Sequence, residues 1–308
     1  MLSEEPFISI VVPTRRRPRQ LSACLSALAA QDYPRERFEV VVVDDGGGDD
    51  GSMAASLAAF LDQLNVRLLK QAHAGPAAAR NNGARAARGE LLAFTDDDCA
   101  PDAGWLRALA AAFRAAPESA IGGRTLNALP ANPYSTASQA LLEYLYSYYN
   151  PLPMHAAFFA SNNFALARES FLAFGGFDEN FQGAAGEDRD FCDRWRHAGF
   201  LMSYAPEAVV HHAHKLTPRT FWRQHFNYGR SAVRFHRARA QRGAGRVRLE
   251  PLSFYTNLVR HPFHMGLTAC GSVSALLIVS QLANAAGYFY ERARPASVWQ
   301  DWPRPASD

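Results

Sequence analysis

Three consecutive aspartates, Asp96, Asp97 and Asp98, are the residues of this sequence whose types and spacing most directly suggest chemistry. The apolar run at residues 91–94 before them predicts a short buried strand. Because side chains alternate along a strand, we expect Asp96 and Asp98 to project to one side and Asp97 to the other. Two close carboxylates repel each other unless a cation lies between them. Mg²⁺ and Mn²⁺ prefer carboxylate oxygens, so the sequence predicts a divalent metal site here, with a solvated acidic turn as the alternative.

The elements that must position these aspartates form a regular alternation. Strands are predicted at residues 7–12, 38–43, 66–70 and 91–95, and helices at residues 21–31, 53–64 and 76–88. Such alternation is typical of right-handed βαβ units, which build an α/β fold with a mostly parallel central sheet and helices on both faces. Ligands of these sheets bind beyond the carboxyl ends of the strands.

Polar residues follow two more of the predicted strands at that edge. Pro13, Thr14 and Arg16 follow the first strand, while Asp44 and Asp45 follow the second, just before three glycines at 46–48. A plain strand-ending turn is the alternative for these two aspartates. The glycines do not indicate a dinucleotide-binding fold, because no GxGxxG pattern follows the first strand.

The alternation becomes less regular after residue 120. We expect a strand at 120–125, a helix at 134–149, a strand, turn and strand at 158–167, and two short strands at 201–205 and 208–212. Glu187 and Asp188 are predicted to open a helix, where acidic side chains interact favourably with the helix dipole. That purely structural position is the alternative to a chemical role for this pair.

Charge is distributed unevenly along the chain. Between Ala208 and Leu249 lie Lys215 and nine arginines, with no Asp or Glu. The rest of the chain therefore carries all 29 acidic residues and has a negative net charge. Residues 217–242 predict a basic amphipathic helix, which suits a surface of anionic lipid. Nucleic acid is the competing partner for such a stretch, but no nucleic-acid motif accompanies it.

An apolar segment follows the basic one. No Asp, Glu, Lys or Arg lies between Arg260 and Glu291, and residues 267–287 are long enough to cross a bilayer. Polar residues dilute this stretch, so a helix that lies in the interface or packs on the protein is the alternative. Arginines on its N-terminal side would keep that side cytoplasmic. We therefore expect a catalytic domain at residues 1–215 and a basic and apolar, membrane-associating helical extension at residues 216–308.

The four cysteines are scattered along the chain, which argues against a disulfide framework or a zinc site and favours a reducing compartment. The first residues include acids and run directly into a strand, so we expect no signal peptide.

Four ordered sequence blocks resemble family 2 glycosyltransferases, which have the GT-A fold. The blocks are SIVVPTRRR, VVVDDGGGDDG, ARNNGARAARGELLAFTDDDC, and GGFDENFQ followed by GEDRDF. They lie between Ile8 and His212, and their order and spacing are far more specific than three aspartates alone. The resemblance implies a GT-A nucleotide-diphospho-sugar transferase fold, with Asp96 to Asp98 as its DXD motif.

The resemblance also implies a nucleotide-sugar site. Its residues would be Pro13, Thr14, Arg16, Asp44, Asp45, Arg80, Asp96 and Asp97. Thr14, Arg16 and the aspartates after the second strand would surround the base and ribose. Arg80 would approach the nucleotide or its diphosphate, unless it belongs to a solvated helix face. Asp96 would hold ribose or sugar hydroxyls.

Metal ligands and a catalytic base are implied in the same way. Asp98 would ligate a Mn²⁺ or Mg²⁺ ion that bridges the two phosphates, and a histidine after the last predicted strand would complete the metal site. His211 and His212 both stand there; strand alternation lets only one face inward, and we favour His212. Asp188 would be the catalytic base, with Glu187 beside it.

The resulting hypothesis is a metal-dependent, inverting glycosyltransferase that transfers a single sugar from a nucleoside-diphosphate sugar, most simply a UDP-sugar, to a lipid-linked or glycan acceptor. The QxxRW block of processive members is missing after Asp188, which argues against polymer synthesis. The enzyme would act in cell envelope polysaccharide biosynthesis at the cytoplasmic face of the cell membrane, as a peripheral protein or with one C-terminal membrane helix, and without nucleic acid.

Two other functions compete with this hypothesis. A catalytically silent, membrane-bound scaffold could share the fold, although it would have no need for the complete set of carboxylates. A sugar-phosphate nucleotidyltransferase shares the parallel sheet, but the glycine-rich loop that it needs after the first strand is missing, because PTRRRP contains no glycine.

Overall fold

The computed structural model describes residues 5–46, 51–152, 154–181, 185–245, 250–267 and 269–294. The chain forms two compact units. Met1–Ala128 and Tyr149–Ala213 form the first, here called the sheet unit, and Leu129–Tyr148 and His214–Asp308 form the second, here called the helical unit. The sequence did not predict that the segment at residues 129–148 groups with the C-terminal part of the chain.

A mixed eight-stranded sheet organises the described residues of the sheet unit. The strands are β1 (Ile8–Thr14), β2 (Phe38–Asp45), β3 (Val66–Gln71), β4 (Leu91–Thr95), β5 (Cys99–Pro101), β6 (Ala120–Asn127), β7 (Asn163–Ala167) and β8 (Met202–His212). Their order across the sheet is β3-β2-β1-β4-β7-β6-β8-β5. Strands β3, β2, β1 and β4 are parallel, as is the pair β6 and β8, whereas β7 runs antiparallel to β4 and β6, and β5 to β8. The α/β fold expected from the alternation is confirmed.

Ten α-helices are described, in both units together. They are α1 (Pro18–Ala29), α2 (Ser52–Ala58), α3 (Pro76–Ala86), α4 (Trp105–Ala115), α5 (Pro133–Tyr149), α6 (Arg168–Ala173), α7 (Glu187–His197), α8 (Pro218–Gln241), α9 (Leu252–His264) and α10 (Cys270–Arg292). Helix α3 packs directly on the sheet at Gly83, where a Cβ atom would overlap the side chain of Val11 in β1. The glycine therefore lets α3 approach the sheet closely.

The structure corrects two predictions about the irregular part of the sheet. The first strand of the strand, turn and strand predicted at 158–167 does not form, and the side chain of Asn150 instead hydrogen-bonds to backbone groups of Ala157 and Phe158; the turn and the second strand, β7, are present. The two strands predicted near residues 201–212 are a single strand, β8, with a register shift against β6 next to Pro206. A bulge suits proline, which cannot donate a hydrogen bond to the sheet. The predictions also omitted β5 and α4, and the helix predicted at 53–64 ends at Ala58.

The helical unit contains α8, α9, α10 and nearly all of α5. Helix α8 begins at a capping box formed by Thr217 and Thr220. Helices α8 and α10 cross where a Cβ atom at Gly229 would overlap the carbonyl oxygen of Asn284, so their backbones lie in direct contact. Phe221 and Val233 of α8 are buried within the unit. These two residues of the basic helix are therefore packed against protein, whereas Trp222 is 44% exposed.

Helix α10 is the one described helix whose length and composition would suffice to cross a membrane. It has 23 residues, and its most apolar stretch has a mean hydropathy of 1.3. One third of that stretch, 33%, is buried within the protein. Length and composition alone support this statement, and a core helix can pass the same test.

Candidate active site

The carboxyl ends of three neighbouring parallel strands bring predicted site residues together. Thr14 ends β1 and pairs in register with Asp44 of β2, and β4 lies on the other side of β1. The hydroxyl of Thr14 donates a hydrogen bond to Asp97 Oδ2 at 2.7 Å, across 83 residues of sequence. The expectation that residues after different strands would meet at one edge is thus confirmed for these positions.

The three aspartates lie in a turn and have different partners. Strand β4 ends at Thr95, so the strand alternation that we expected for Asp96 to Asp98 does not extend to them. Asp96 accepts a hydrogen bond from Arg80 Nη2 at 2.6 Å. Arg17 Nη1 lies 3.1 Å from both Asp97 Oδ1 and Asp98 Oδ2. One guanidinium therefore contacts two of the three carboxylates.

Asp97 is the most buried of the three aspartates. Its burial raises the pKa of the carboxyl to about 6, with a further contribution from the charges of Asp98 and Asp96, while Thr14 and Arg17 oppose the shift. A carboxylate in this setting is held by protein groups and faces little solvent. Asp97 therefore connects the end of β1 to the aspartate turn through its hydrogen bond with Thr14.

Asp98 lies beside two further side chains that could bind a metal ion. The ligand atoms of Asp98, Cys99 and His212 lie within 4.8 Å of one another. His212 Nε2 is 3.2 Å from Asp98 Oδ1. Burial disfavours the charged imidazole, but the hydrogen bond and charge of Asp98 outweigh it and raise the pKa of His212. An oxygen and a ring nitrogen form a donor pair that fits Mn²⁺, so the residues present fit such an ion.

The neighbouring residues distinguish the candidate ligands. His211 Nε2 lies 2.8 Å from Asp102 Oδ1, so of the adjacent histidines it is His212 that contacts Asp98. Burial raises the pKa of the Cys99 thiol well above its usual value, which keeps the sulfur protonated and a poor ligand. The candidate metal ligands at this position are therefore Asp98 and His212.

Arg80 connects the aspartate turn to the beginning of α7. It is only 3% exposed, and its guanidinium donates to Asp96 Oδ1 and, at 3.0 Å, to Glu187 Oε1. The guanidinium also lies 5.9 Å from the centre of the Phe177 ring. Arg80 is thus not part of a solvated helix face. Its contacts are with two carboxylates, and an approach to the nucleotide stays a prediction.

Glu187 and Asp188 open α7 as expected, after Gly186 in the left-handed conformation (φ 97°). Glu187 is 4% exposed, and burial together with the charge of Asp188 raises its pKa to about 7. Burial also raises the pKa of Asp188, although the backbone N–H of Arg189 donates to its Oδ1 at 2.7 Å. Carboxyl groups with raised pKa values are suited to accept a proton near neutral pH.

Asp45 has a different environment from the other predicted site residues. Its oxygens accept hydrogen bonds from the Gln71 side chain and from the backbone N–H groups of Ala74 and Gly75, and it pairs with His73 Nδ1 at 2.8 Å. The carboxylate therefore holds the segment after β3 in place. Asp44 and Pro13 are also buried, and their predicted contacts with a nucleotide stay predictions, as does that of Asp45.

Arg16 lies in the loop that follows β1 at this edge of the sheet. Arg16 is exposed and adopts a positive φ of 55°, which is uncommon for a residue other than glycine. Its contact with a nucleotide also stays a prediction. Gly47 and Gly48 of the glycine run lie outside the described residues.

Two residues of the site were missed by the sequence interpretation. Arg17 is one of three consecutive arginines, and nothing in their types distinguishes the one that reaches the aspartates. Asn81 bonds to both backbone groups of Phe177, at 2.8 and 2.9 Å, and so fixes the ring beside Arg80. The adjacent asparagines at 81 and 82 were the available signal.

Comparisons with known proteins agree with this architecture. Residues 9–174, more than half of the chain, match the family model described as glycosyl transferase family 2. The chain belongs to glycosyltransferase family 2. Residues 146–215 also match a model described as the N-terminal domain of galactosyltransferase.

Individual members of the family and related folds show how far the similarity extends. A validoxylamine A glucosyltransferase from Streptomyces hygroscopicus subsp. jinggangensis is 30% identical over 234 residues, which cover 67% of this chain and 55% of that protein. The chain spans about half the length of the curated relatives of this kind. Their whole activities therefore do not transfer directly to it.

Solved structures establish the fold of this family 2 chain. A mannosyltransferase from Pyrobaculum calidifontis in complex with GDP-Man and Mn²⁺ aligns with a TM-score of 0.60 and 21% identity, over 96% of this chain and 84% of that one. The S. aureus protein TarS in complex with UDP-GlcNAc aligns with a TM-score of 0.51 and 17% identity, over 93% and 90%. At these identities the similarity shows the GT-A fold alone.

Proposed function

We propose that this protein is a metal-dependent, inverting glycosyltransferase that transfers one sugar from a nucleoside-diphosphate sugar to an acceptor hydroxyl. The observation that carries the proposal is the chain of contacts Glu187–Arg80–Asp96. It joins the helix that bears two carboxyl groups of raised pKa to the aspartate turn, with its candidate metal ligands, at one edge of the sheet. Neighbouring folds that bind GDP-Man or UDP-GlcNAc support the donor class.

The donor is proposed to bind through its nucleotide and its diphosphate. Pro13, Thr14, Arg16, Asp44, Asp45, Arg80, Asp96 and Asp97 form the proposed nucleotide-sugar site, and a UDP-sugar is the favoured donor. Asp98 and His212 would hold Mn²⁺ or Mg²⁺, which supplies positive charge to the leaving diphosphate. Arg17, whose Nη1 lies 3.1 Å from Asp98 Oδ2, places a positive charge beside that position.

The acceptor hydroxyl needs a base because it is a poor nucleophile. Asp188 is the proposed base, since it is partly exposed whereas Glu187 is buried. Removal of the hydroxyl proton on the face opposite the diphosphate gives a single displacement with inversion at the anomeric carbon. Glu187, held by Arg80, would keep the start of α7 in position.

The acceptor is proposed to be lipid-linked or a glycan, with a role in building cell envelope polysaccharide. The proposed location is the cytoplasmic face of the cell membrane, because the helical unit combines an arginine-rich helix with the apolar helix α10. The competing function is a catalytically silent scaffold, which would bind no nucleotide-sugar.

Ligand-dependent thermal stability tests the donor and metal sites. A ligand that binds only the folded protein raises its melting temperature, so we expect one nucleoside diphosphate to raise it with Mn²⁺ and not with a chelator. Asp98→Ala and His212→Ala should abolish this shift, and His211→Ala is the matched control that should preserve it. No shift with any nucleotide in folded protein would favour the scaffold.

Transfer assays test the base separately. Asp188→Asn should abolish sugar transfer while the metal-dependent shift with the donor survives, because the variant lacks only the proton acceptor. Full activity in this variant would remove Asp188 from the proposed role.

A further inference from the structure

Helix α10 has two faces that differ in their surroundings. One face is buried in the helical unit and includes Val273, Leu277, Ser280, Gly287 and Glu291. The opposite face is exposed, and its residues recur with alternating spacings of three and four, as expected for one side of a helix. They are Ala275, Ile278, Leu282, Ala285 and Phe289, here called the α10 stripe.

The α10 stripe is apolar along its whole length. Leu282 is 59% exposed and Phe289 is 65% exposed, with Ile278 at 47%. Glu291 and Arg292, at the C-terminal end of α10, are the only Asp, Glu, Lys or Arg residues of this helix, so the stripe has no charged border along most of its length. A helix interface between soluble copies of a chain is usually bordered by charged residues. Continuous apolar exposure without such a border fits contact with lipid better.

Charge on the neighbouring helix supports the same partner. Helix α8 packs along α10 and carries six arginines with no acidic residue. Arg230 and Arg234 are paired with Glu291. Arg219 and Arg223 are exposed. A cationic helix beside an exposed apolar stripe is complementary to a bilayer that contains anionic lipid.

The packing of α10 also indicates how it meets the bilayer. The α8–α10 crossing at Gly229 and Gly287 leaves no space between the two backbones, and the Ser274 hydroxyl donates to Val259 O of α9 at 2.7 Å. If α10 spanned the bilayer, α8 and its arginines would enter the hydrocarbon with it, where charged side chains are costly. A helix bound on one side and apolar on the other suits the interface.

We propose that α10 lies parallel to an anionic membrane surface, with the α10 stripe inserted at the boundary of headgroups and acyl chains. This inference rests on the membrane association proposed above and adds its contact face and orientation. It is independent of the donor and base assignments, because it concerns the helical unit alone.

Vesicle flotation of the full chain tests the contact face. We expect binding to vesicles of phosphatidylcholine with phosphatidylglycerol, and weaker binding to phosphatidylcholine alone. The double substitution Ile278→Gln with Leu282→Gln should weaken binding by at least about tenfold, because two inserted side chains become polar. Leu61→Gln is the matched control, since Leu61 is 57% exposed and lies in the sheet unit. Both variants replace exposed side chains, so unchanged circular dichroism should accompany them.

Probe depth tests the orientation. Single cysteines placed at 278 and 289, in a Cys270→Ser background because Cys24, Cys99 and Cys192 are buried, can carry a fluorophore that brominated lipids quench. A helix parallel to the surface gives both probes the same shallow depth. A spanning helix separates them by about 16 Å along the bilayer normal, because each residue adds about 1.5 Å.

Each contrary result overturns a defined part of the proposal. Binding that survives the double substitution would overturn the contact face while leaving membrane association intact. Probe depths that differ by the helical rise would overturn the parallel orientation. Failure to bind either type of vesicle would overturn membrane association as well, and would do so without any consequence for nucleotide binding. A lipid-free dimer abolished by the double substitution would show instead that a second copy covers the stripe.

Discussion

Two buried glutamates, one in each unit, contact arginines and yet have pKa values shifted in opposite directions. Glu187 of the sheet unit is 4% exposed, and Glu291 of the helical unit is 0% exposed. Burial alone raises the pKa of a carboxyl group, because it disfavours the charged form. The pKa of Glu187 is raised to about 7, whereas that of Glu291 is lowered despite its burial. The neighbours of each glutamate must account for the difference.

Glu291 has cations at both of its oxygens. Arg230 Nε donates to Oε2 at 2.7 Å, and Arg234 Nη2 donates to Oε1 at 3.3 Å, with Arg294 Nη1 3.5 Å from the same oxygen. Glu187 shares its one arginine, Arg80, with Asp96 and has the carboxyl of Asp188 next to it. Its Oε2 atom has no hydrogen-bond partner among the described residues.

The comparison separates a carboxylate that is held in its ionised form from one whose pKa lies near neutrality. Full neutralisation keeps Glu291 ionised, so that it joins α8 to α10. Incomplete neutralisation leaves Glu187 close to exchanging a proton at neutral pH, which costs stability and is typical of functional sites. The same residue types therefore give an ionised packing contact in one unit and, beside the proposed base Asp188, a carboxyl group of raised pKa in the other.

The largest effect on stability is expected from Glu291→Gln. The substitution leaves Arg230 and Arg234 without their buried counter-charge, and breaking a buried ion pair in this way costs about 3–5 kcal/mol. Because the pKa of Glu291 is lowered, its stabilisation is fully present above its unfolded pKa and is lost only as the pH falls through the folded value. Denaturant unfolding should thus show that the variant is less stable than wild type by the same amount at every pH between 5.5 and 8. Glu207→Gln, at an exposed position, should change stability by less than about 0.5 kcal/mol. Equal effects of the two substitutions would remove the structural role of Glu291.

Glu187→Gln should change the free energy of unfolding by less than Glu291→Gln does, and with the opposite dependence on pH. A raised pKa means that folding favours the protonated form, so the contribution of Glu187 to stability declines as the pH rises from 4.5 towards 7. Wild type should therefore lose stability relative to the variant over that interval. Unfolding of both proteins at several pH values measures this. Parallel curves for wild type and Glu187→Gln would mean that Glu187 is ionised throughout and resembles Glu291.

The residues at the edge of the sheet could be predicted from sequence, because strand positions follow from short apolar runs in the chain. Apolar runs predicted β1, β2 and β4, and the geometry of parallel sheets then placed Thr14 near the aspartate turn. Strand alternation also allowed only one of His211 and His212 to face the aspartates, and His212 does so. These inferences need only the period of a strand and the direction of its neighbours.

The ion pairs could not be predicted because they depend on tertiary packing. The contact between Arg80 and Glu187 joins residues 107 positions apart, and no local pattern distinguishes Arg80 from the other arginines. The pairing of Glu291 with α8 likewise depends on the close approach at Gly229 and Gly287. The alternation expected for the aspartates was wrong because β4 ends at Thr95, before the first of them.

The smallest effect on stability is expected from Arg17→Gln. This substitution tests whether Arg17 serves the metal site or stabilises the fold as the arginines around Glu291 do. Arg17 is half exposed, with 49% of its side chain accessible, so its ion pairs with Asp97 and Asp98 should contribute less than about 1 kcal/mol to stability. Its charge competes with any divalent ion at Asp98, and removing it should tighten Mn²⁺ binding by about two- to fivefold. Titration calorimetry with Mn²⁺ measures the change, and Arg19→Gln, at an exposed position of α1, is the control of equal charge. Weaker Mn²⁺ binding in Arg17→Gln would mean that Arg17 orients Asp98 for the metal. A loss of several kcal/mol in stability would instead place Arg17 with the structural arginines around Glu291.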